Sequence, residues 1–157
     1  MTERSVVHDT FVIERTFAAA PARVFAAWAS ADAKLSWMGG PDWKPDEYEL
    51  DFRVGGREFN KGSMPGGGPT FTLEARYMDI VPDERIIYAY EMYVDDARMS
   101  VSVGTIELKP DGAATRLTYT EQGAFLDGLD TPAQRRQGTA EMFGAIDAWL
   151  ESQPAEA

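Results

Sequence analysis

The sequence contains no cysteine and a single histidine, His8. Disulfide frameworks, thiolate zinc sites, iron–sulfur clusters and thiol nucleophiles are therefore excluded. No HExxH or GxSxG motif is present, and the lone, distant His8 completes no Ser/His/Asp set. Basic residues are scarce, 15 Lys and Arg against 26 Asp and Glu, which leaves a net charge of −11 and an isoelectric point near 4.5. Phosphate-backbone binding needs clustered cations, so this balance argues against nucleic acid. Long apolar runs are also missing. Phe17–Ala31 is the longest and is broken by Pro21 and Arg23, whereas a bilayer span needs about 20 apolar residues. Residues 1–10 hold no apolar signal-peptide core. The expectation from these absences is a cytoplasmic protein with no membrane partner, no metal and no cofactor.

What is present is a chain that can fold unaided. Its 157 residues are 44% hydrophobic, which fits one domain over residues 1–157. Thr10–Phe17 alternates as a strand. Pro21 opens a helix carrying Val24, Phe25 and Trp28, and Ser30 caps a second, Ala31–Trp37, ended by Gly39-Gly40-Pro41. Six strands then follow. Tyr48, Leu50 and Phe52 mark the first; Arg57–Ser63, Thr70–Val81, Arg85–Val94, Met99–Lys109 and Thr115–Gln122 are the rest. The short Gly-, Pro- and Asp-rich links between them imply antiparallel hairpins. Residues 131–151 form a long helix with Met142, Ala145, Ile146 and Trp149 in one stripe. The class is α+β, a curved antiparallel sheet with one long helix on its concave face.

Strand parity predicts what looks into that concavity. Tyr88, Tyr90 and Met92 share a face, as do Tyr119 and Glu121. Ser100, Ser102 and Gly104 share the inward face of their strand, where small residues would leave volume unfilled. Met99, Val101 and Val103 form an outward apolar stripe suited to a homodimer contact. Glu121, if desolvated in a pocket, has the chemistry of a general acid or base. His8 precedes the first strand, and Asp79, Asp83, Glu84, Asp95 and Asp96 sit at turns as solvated carboxylates without calcium-loop spacing. Pro65-Gly66-Gly67-Gly68-Pro69 lacks the Lys-Ser/Thr and following helix of a phosphate loop.

Several segments together carry a resemblance. Glu14-Arg15-Thr16-Phe17, Ala20-Pro21 with Val24, Phe25 and Trp28, and Ser36-Trp37-Met38-Gly39-Gly40-Pro41 resemble the opening of the START-like (SRPBCC) superfamily. Asp51-Phe52-Arg53-Val54-Gly55-Gly56-Arg57, Val81-Pro82-Asp83-Glu84-Arg85-Ile86 and Thr115-Arg116-Leu117-Thr118 leading to Gly123 resemble its branch related to the activator of the heat-shock-protein ATPase. The similarity covers about residues 9–151 and implies a helix-grip fold: a seven-stranded curved antiparallel sheet wrapped around a long C-terminal helix, with two short helices between strands 1 and 2. Members bind lipids, polyketides or other apolar small molecules, some are cyclases or dehydratases, and dimers are common in this branch. Three positions depart from the pattern. Met38 follows Trp37 where relatives often carry a second Trp, Glu121-Gln122-Gly123 replaces His-Glu-Gly, and Thr139 follows Gly138 where a Trp is frequent.

The reading that unites these observations is a binding module for an apolar or aromatic small molecule held between sheet and long helix. Trp37, Met38, Tyr88, Tyr90, Tyr119, Met142 and Ile146 would form its walls, with Ser100, Ser102 and Glu121 fixing a polar group. The alternatives are a cyclase- or dehydratase-type enzyme in which Glu121 moves protons, and a co-chaperone-like interaction protein.

Overall fold

A computed structural model of the chain describes residues 3–39 and 42–154. Gly40 and Pro41, part of the expected stop to the second helix, lie outside the described residues, as does the end of the Ala/Glu tail. The element order is β1 (Val6–Phe17), α1 (Pro21–Ala29), α2 (Ala31–Trp37), β2 (Glu47–Leu50), β3 (Arg57–Ser63), β4 (Thr70–Val81), β5 (Arg85–Val94), β6 (Ala97–Asp111), β7 (Ala114–Leu126) and α3 (Pro132–Ser152). All seven strands join one antiparallel sheet in the order β1-β7-β6-β5-β4-β3-β2. This is the helix-grip fold. Among the described residues no helix is long and apolar enough to cross a membrane.

Local chemistry explains the boundaries. Pro21 and Pro132 stand at the first turns of α1 and α3, and the side chains of Ser30 and Thr131 accept the N–H of Ala33 and Gln134 as caps. Asp83, Asp95 and Asp127 take positive φ at strand ends, a conformation that Asp tolerates better than most residues. The first strand begins earlier than its hydrophobic alternation suggests. It pairs along its whole length with β7, from Val6 opposite Leu126 to Phe17 opposite Thr115, so His8 lies within the strand opposite Ala124. Backbone pairing needs no apolar side chain, and periodicity therefore underestimates such an end.

Two bulges adjust which residues face inward. Met78 is inserted between the pairs Tyr77–Tyr88 and Asp79–Ile87, which lets Tyr77 and Ile80 both pack on the core. Met99 is inserted between Tyr93–Arg98 and Met92–Ser100. Met99 is consequently 8% exposed while Val101 and Val103 are 42% and 38% exposed, so the expected outward stripe keeps its valines and loses its methionine.

On the other side of the core, Trp28 of α1, Trp37 of α2 and Phe143 of α3 meet edge to face at 5.2–6.3 Å. The buried stripe of α3 is Thr139, Phe143, Ile146 and Leu150, while Met142, Ala145 and Trp149 lie partly buried at its margin. The helix is thus turned slightly from the face expected. Phe143, on the buried stripe, sets its ring edge to face against Tyr119 at 5.2 Å.

Candidate functional site

Across the concave face the inward side chains form cross-strand rows. One row runs Tyr77, Tyr88, Gly104, Glu121; the next runs Glu58, Ala75, Tyr90, Ser102, Gly123; a third runs Asn60, Leu73, Met92, Ser100, Phe125. Space remains over the β3–β5 half, beneath α2 and α3. There a cavity of about 280 Å³ is walled by aromatic and thioether side chains, among them Trp28, Trp37, Met38, Phe71, Met142 and Phe143. Polar groups interrupt this wall at Lys34, Glu58, Asn60, Tyr88, Tyr90, Tyr119, Arg135 and Thr139.

The polar groups form two similar clusters. Glu58 accepts the hydroxyls of Tyr48 (2.9 Å) and Tyr77 (2.8 Å), and Lys34 Nζ lies 3.2 Å from its Oε1. Glu121 accepts the hydroxyls of Tyr90 and Tyr119, both at 2.6 Å, and Arg135 lies 3.5 Å from its Oε2. Each is a buried carboxylate between two phenols and one cation. Burying a charge is tolerable only with such partners. Arg135 is further held by Tyr90 Oη, Ser100 Oγ and Asp130.

These surroundings move the phenols strongly. Burial first, then the nearby Glu58, pushes Tyr48 and Tyr77 far above the ordinary phenol range. Burial also raises Tyr88, Tyr90 and Tyr119; Glu121 adds to the shift in each. Desolvation pulls Arg135 down, but Tyr90, Glu121 and Asp130 together outweigh it and leave the guanidinium raised. All five phenols are hydrogen-bonding neutral groups at physiological pH.

The structure brings Trp37, Met38, Tyr88, Tyr90, Tyr119 and Met142 to the cavity wall, and it does not bring Ile146, Ser100, Ser102 or Glu121 there. Ile146 is fully enclosed in the packing between α3 and the sheet. The small residues of β6 do not open space, because neighbours fill it. A Cβ at Gly104 would stand 2.8 Å from Tyr119 Oη and from Tyr88 Cζ, so the absent side chain admits the two phenols, whose hydroxyls meet at 3.1 Å. Ser100 is occupied by Arg135, and Ser102 Oγ is buried beside Gly123 without a hydrogen-bond partner among the described residues. Glu121 lies behind the phenols, 1% exposed. A proton leaving the cavity for Glu121 would pass through a phenol, Tyr90 or Tyr119, each of which lines the cavity and donates to the carboxylate.

Sequence reading missed Lys34, Glu58, Asn60, Trp43 and Arg135. One signal was available: in Arg57–Ser63 the residues sharing a face with Gly62 are Glu58 and Asn60, so the inward side of β3 is its polar side. Lys34 and Arg135 look like surface cations in a linear sequence. Their burial follows from carboxylates on distant strands.

Comparison with known proteins agrees with this architecture. Residues 18–151 match the family model described as Activator of Hsp90 ATPase homolog 1-like protein. The chain belongs to this family. Within its fold, an uncharacterised protein from Rhizobium leguminosarum is 40% identical, with a TM-score of 0.90 over 97% of this chain and 100% of that one. A protein from Rhizobium loti is 47% identical, with a TM-score of 0.85 over 92% of this chain and 98% of that one. A Chromobacterium violaceum protein at 25% identity still superposes with a TM-score of 0.74, covering 92% of this chain and 98% of that one. No functionally curated protein matches. Family membership therefore supports the scaffold, while the use of the site has to be argued from its residues.

Proposed function

We propose that this member of the family binds a small aromatic or otherwise apolar molecule in the cavity beneath α2 and α3. The observation that carries the reading is the cavity itself: about 280 Å³, walled mainly by aromatic and thioether side chains, with polar groups converging on it. Small-molecule sites have this composition, and their volumes run from about 300 to 1,000 Å³. A space just below that range suits a one- or two-ring compound better than a long lipid or an extended polyketide.

Of the four Trp residues, Trp28, Trp37 and Trp43 line the cavity, so their fluorescence reports its occupancy. Titration with a neutral bicyclic probe such as naphthol tests the proposal. Saturable quenching at one probe per chain is the expected result. Quenching that rises linearly without saturation would overturn it.

The proposal extends to self-association. Val101 and Val103 are exposed on the outer face of β6, and Val12 is exposed on β1. Valines on the outer face of a sheet supply the apolar patch that a second copy would cover.

A further inference from the structure

The polar groups on the cavity wall are not equivalent as hydrogen-bond partners. On the α2/β3 side Lys34 and Asn60 are donors, beside the carboxylate of Glu58, which already accepts from Tyr48 and Tyr77 and pairs with Lys34. Lys34 carries three N–H groups, and among the described residues Glu58 is its one ion-pair partner. Asn60 accepts from Trp43 Nε1 at 3.1 Å through its carbonyl, which leaves its amide N–H₂ turned to the weak acceptor Met38 Sδ at 3.8 Å. On the β5/α3 side Tyr88 and Thr139 are acceptors, beside Arg135, which gives N–H groups to Tyr90, Ser100 and Asp130. Tyr119 commits its hydrogen to Glu121, so the 3.1 Å contact with Tyr88 is made by the Tyr88 hydrogen. The Tyr88 oxygen then offers only lone pairs to the cavity. Thr139 spends its hydrogen on the Arg135 carbonyl at 2.8 Å and likewise offers lone pairs.

Glu121 and Arg135 impose this division from one side, and Glu58 with Trp43 imposes it from the other. Lys34 and Glu58 balance one another, and Arg135 faces two carboxylates, Glu121 and Asp130, so the site has no positive charge to spend on an anionic ligand. An extra anion beside Glu58 or Glu121 would be buried next to a like charge, at a cost in desolvation and repulsion.

Resting on the small-molecule reading above, we infer that the ligand is a neutral ring compound bearing a carbonyl toward Lys34 and Asn60 and a hydroxyl toward Tyr88 and Thr139. The cavity reads direction as well as shape. A compound with only one of the two groups leaves a buried polar cluster unmatched, and unmatched buried groups discriminate more strongly than lost apolar contact.

The test uses three probes of similar size on the native protein: 4-hydroxyacetophenone, 4-ethylphenol without the carbonyl, and 4-methoxyacetophenone without the donor. Calorimetric titration is expected to show 4-hydroxyacetophenone binding roughly tenfold or more tightly than either of the others, as one missing buried hydrogen bond implies. Tyr88→Phe is expected to abolish the preference for hydroxyl over methoxy while keeping the preference for carbonyl over ethyl. Lys34→Met, paired with Glu58→Gln so that no buried charge is left alone, is expected to do the reverse. Equal binding of all three probes would overturn the directional inference and leave the small-molecule reading standing. Binding of none at millimolar concentration would overturn both.

Discussion

Tyr119 donates its phenol hydrogen to Glu121, two residues further along β7, at 2.6 Å. Residues two apart on a strand share a face, and here the shared face is the inner one. Tyr90 reaches the same carboxylate oxygen from β5, and Arg135 faces the other oxygen from α3. Oε1 is therefore occupied by two phenol donors, while Oε2, buried, has only the ion-pair contact with Arg135 among the described residues. The carboxylate fixes the phenols that the cavity presents, and a ligand meets Tyr88 and Tyr119 before it meets Glu121.

Glu121→Gln removes the charge opposite Arg135 and weakens both phenol bonds. Arg135 keeps Asp130 as a partner, so the stability loss is expected to fall below the ~3–5 kcal/mol of a wholly orphaned buried charge, and urea unfolding is expected to show about 1–3 kcal/mol. Affinity for an aromatic probe is expected to change only a few-fold. Loss of binding in a folded variant would mean that the carboxylate touches the ligand directly.

At Gly104 even one methyl group is too large. Its Cβ would stand 2.8 Å from atoms of both Tyr88 and Tyr119, and overpacking of this kind costs roughly 1–3 kcal/mol. Gly104→Ala should lower the denaturation midpoint accordingly and disturb the tyrosine near-ultraviolet dichroism. An unchanged midpoint would show that the phenols can part without cost.

Alkaline pH separates the folded and unfolded chains. Tyr48, Tyr77, Tyr88, Tyr90 and Tyr119 are all raised above the ordinary phenol value of 10.0. The folded state then keeps protons that the unfolded state releases. Stability from these groups is complete below pH 10 and falls as pH rises beyond it, by about 1.4 kcal/mol per pH unit for each phenol. Absorbance at 295 nm should show the five ionising together with unfolding. Gradual ionisation in the folded protein would contradict their burial.

Thr139→Trp restores the aromatic residue often found at this place in the family and directs it at the cavity wall. Probe binding should be lost, while stability stays equal or rises, because added apolar burial contributes about 25 cal/mol per Å². Retained one-to-one binding would place the ligand elsewhere.

Val101→Lys sets a charge within the outer apolar patch of β6. If two copies associate there, light scattering should show the variant at the monomer mass and the native protein at twice that mass. Equal masses for both would count against this surface.

The fold was largely legible because its signals are local. Prolines mark helix starts, Asp and Gly mark hairpins, and alternation in β5 and β7 shows that Tyr88, Tyr90, Tyr119 and Glu121 share the inner side. The site was legible in part. Six wall residues follow from parity and family resemblance, whereas the pairing of Lys34 with Glu58 links a helix to a strand that carries no apolar alternation. Gly104 was read as empty volume because sequence shows the missing side chain and not the two rings that converge over it. The bulge at Met99 escaped for a similar reason: one inserted residue reverses parity without any mark in the residue pattern.

Native mass spectrometry of gently purified protein, with extraction of whatever is released, tests the central claim most directly. The account predicts a defined small molecule at one per chain, or a one-per-chain mass shift on adding a small hydroxylated aromatic ketone. A clean mass that none of a panel of aromatic compounds and lipids displaces would contradict it.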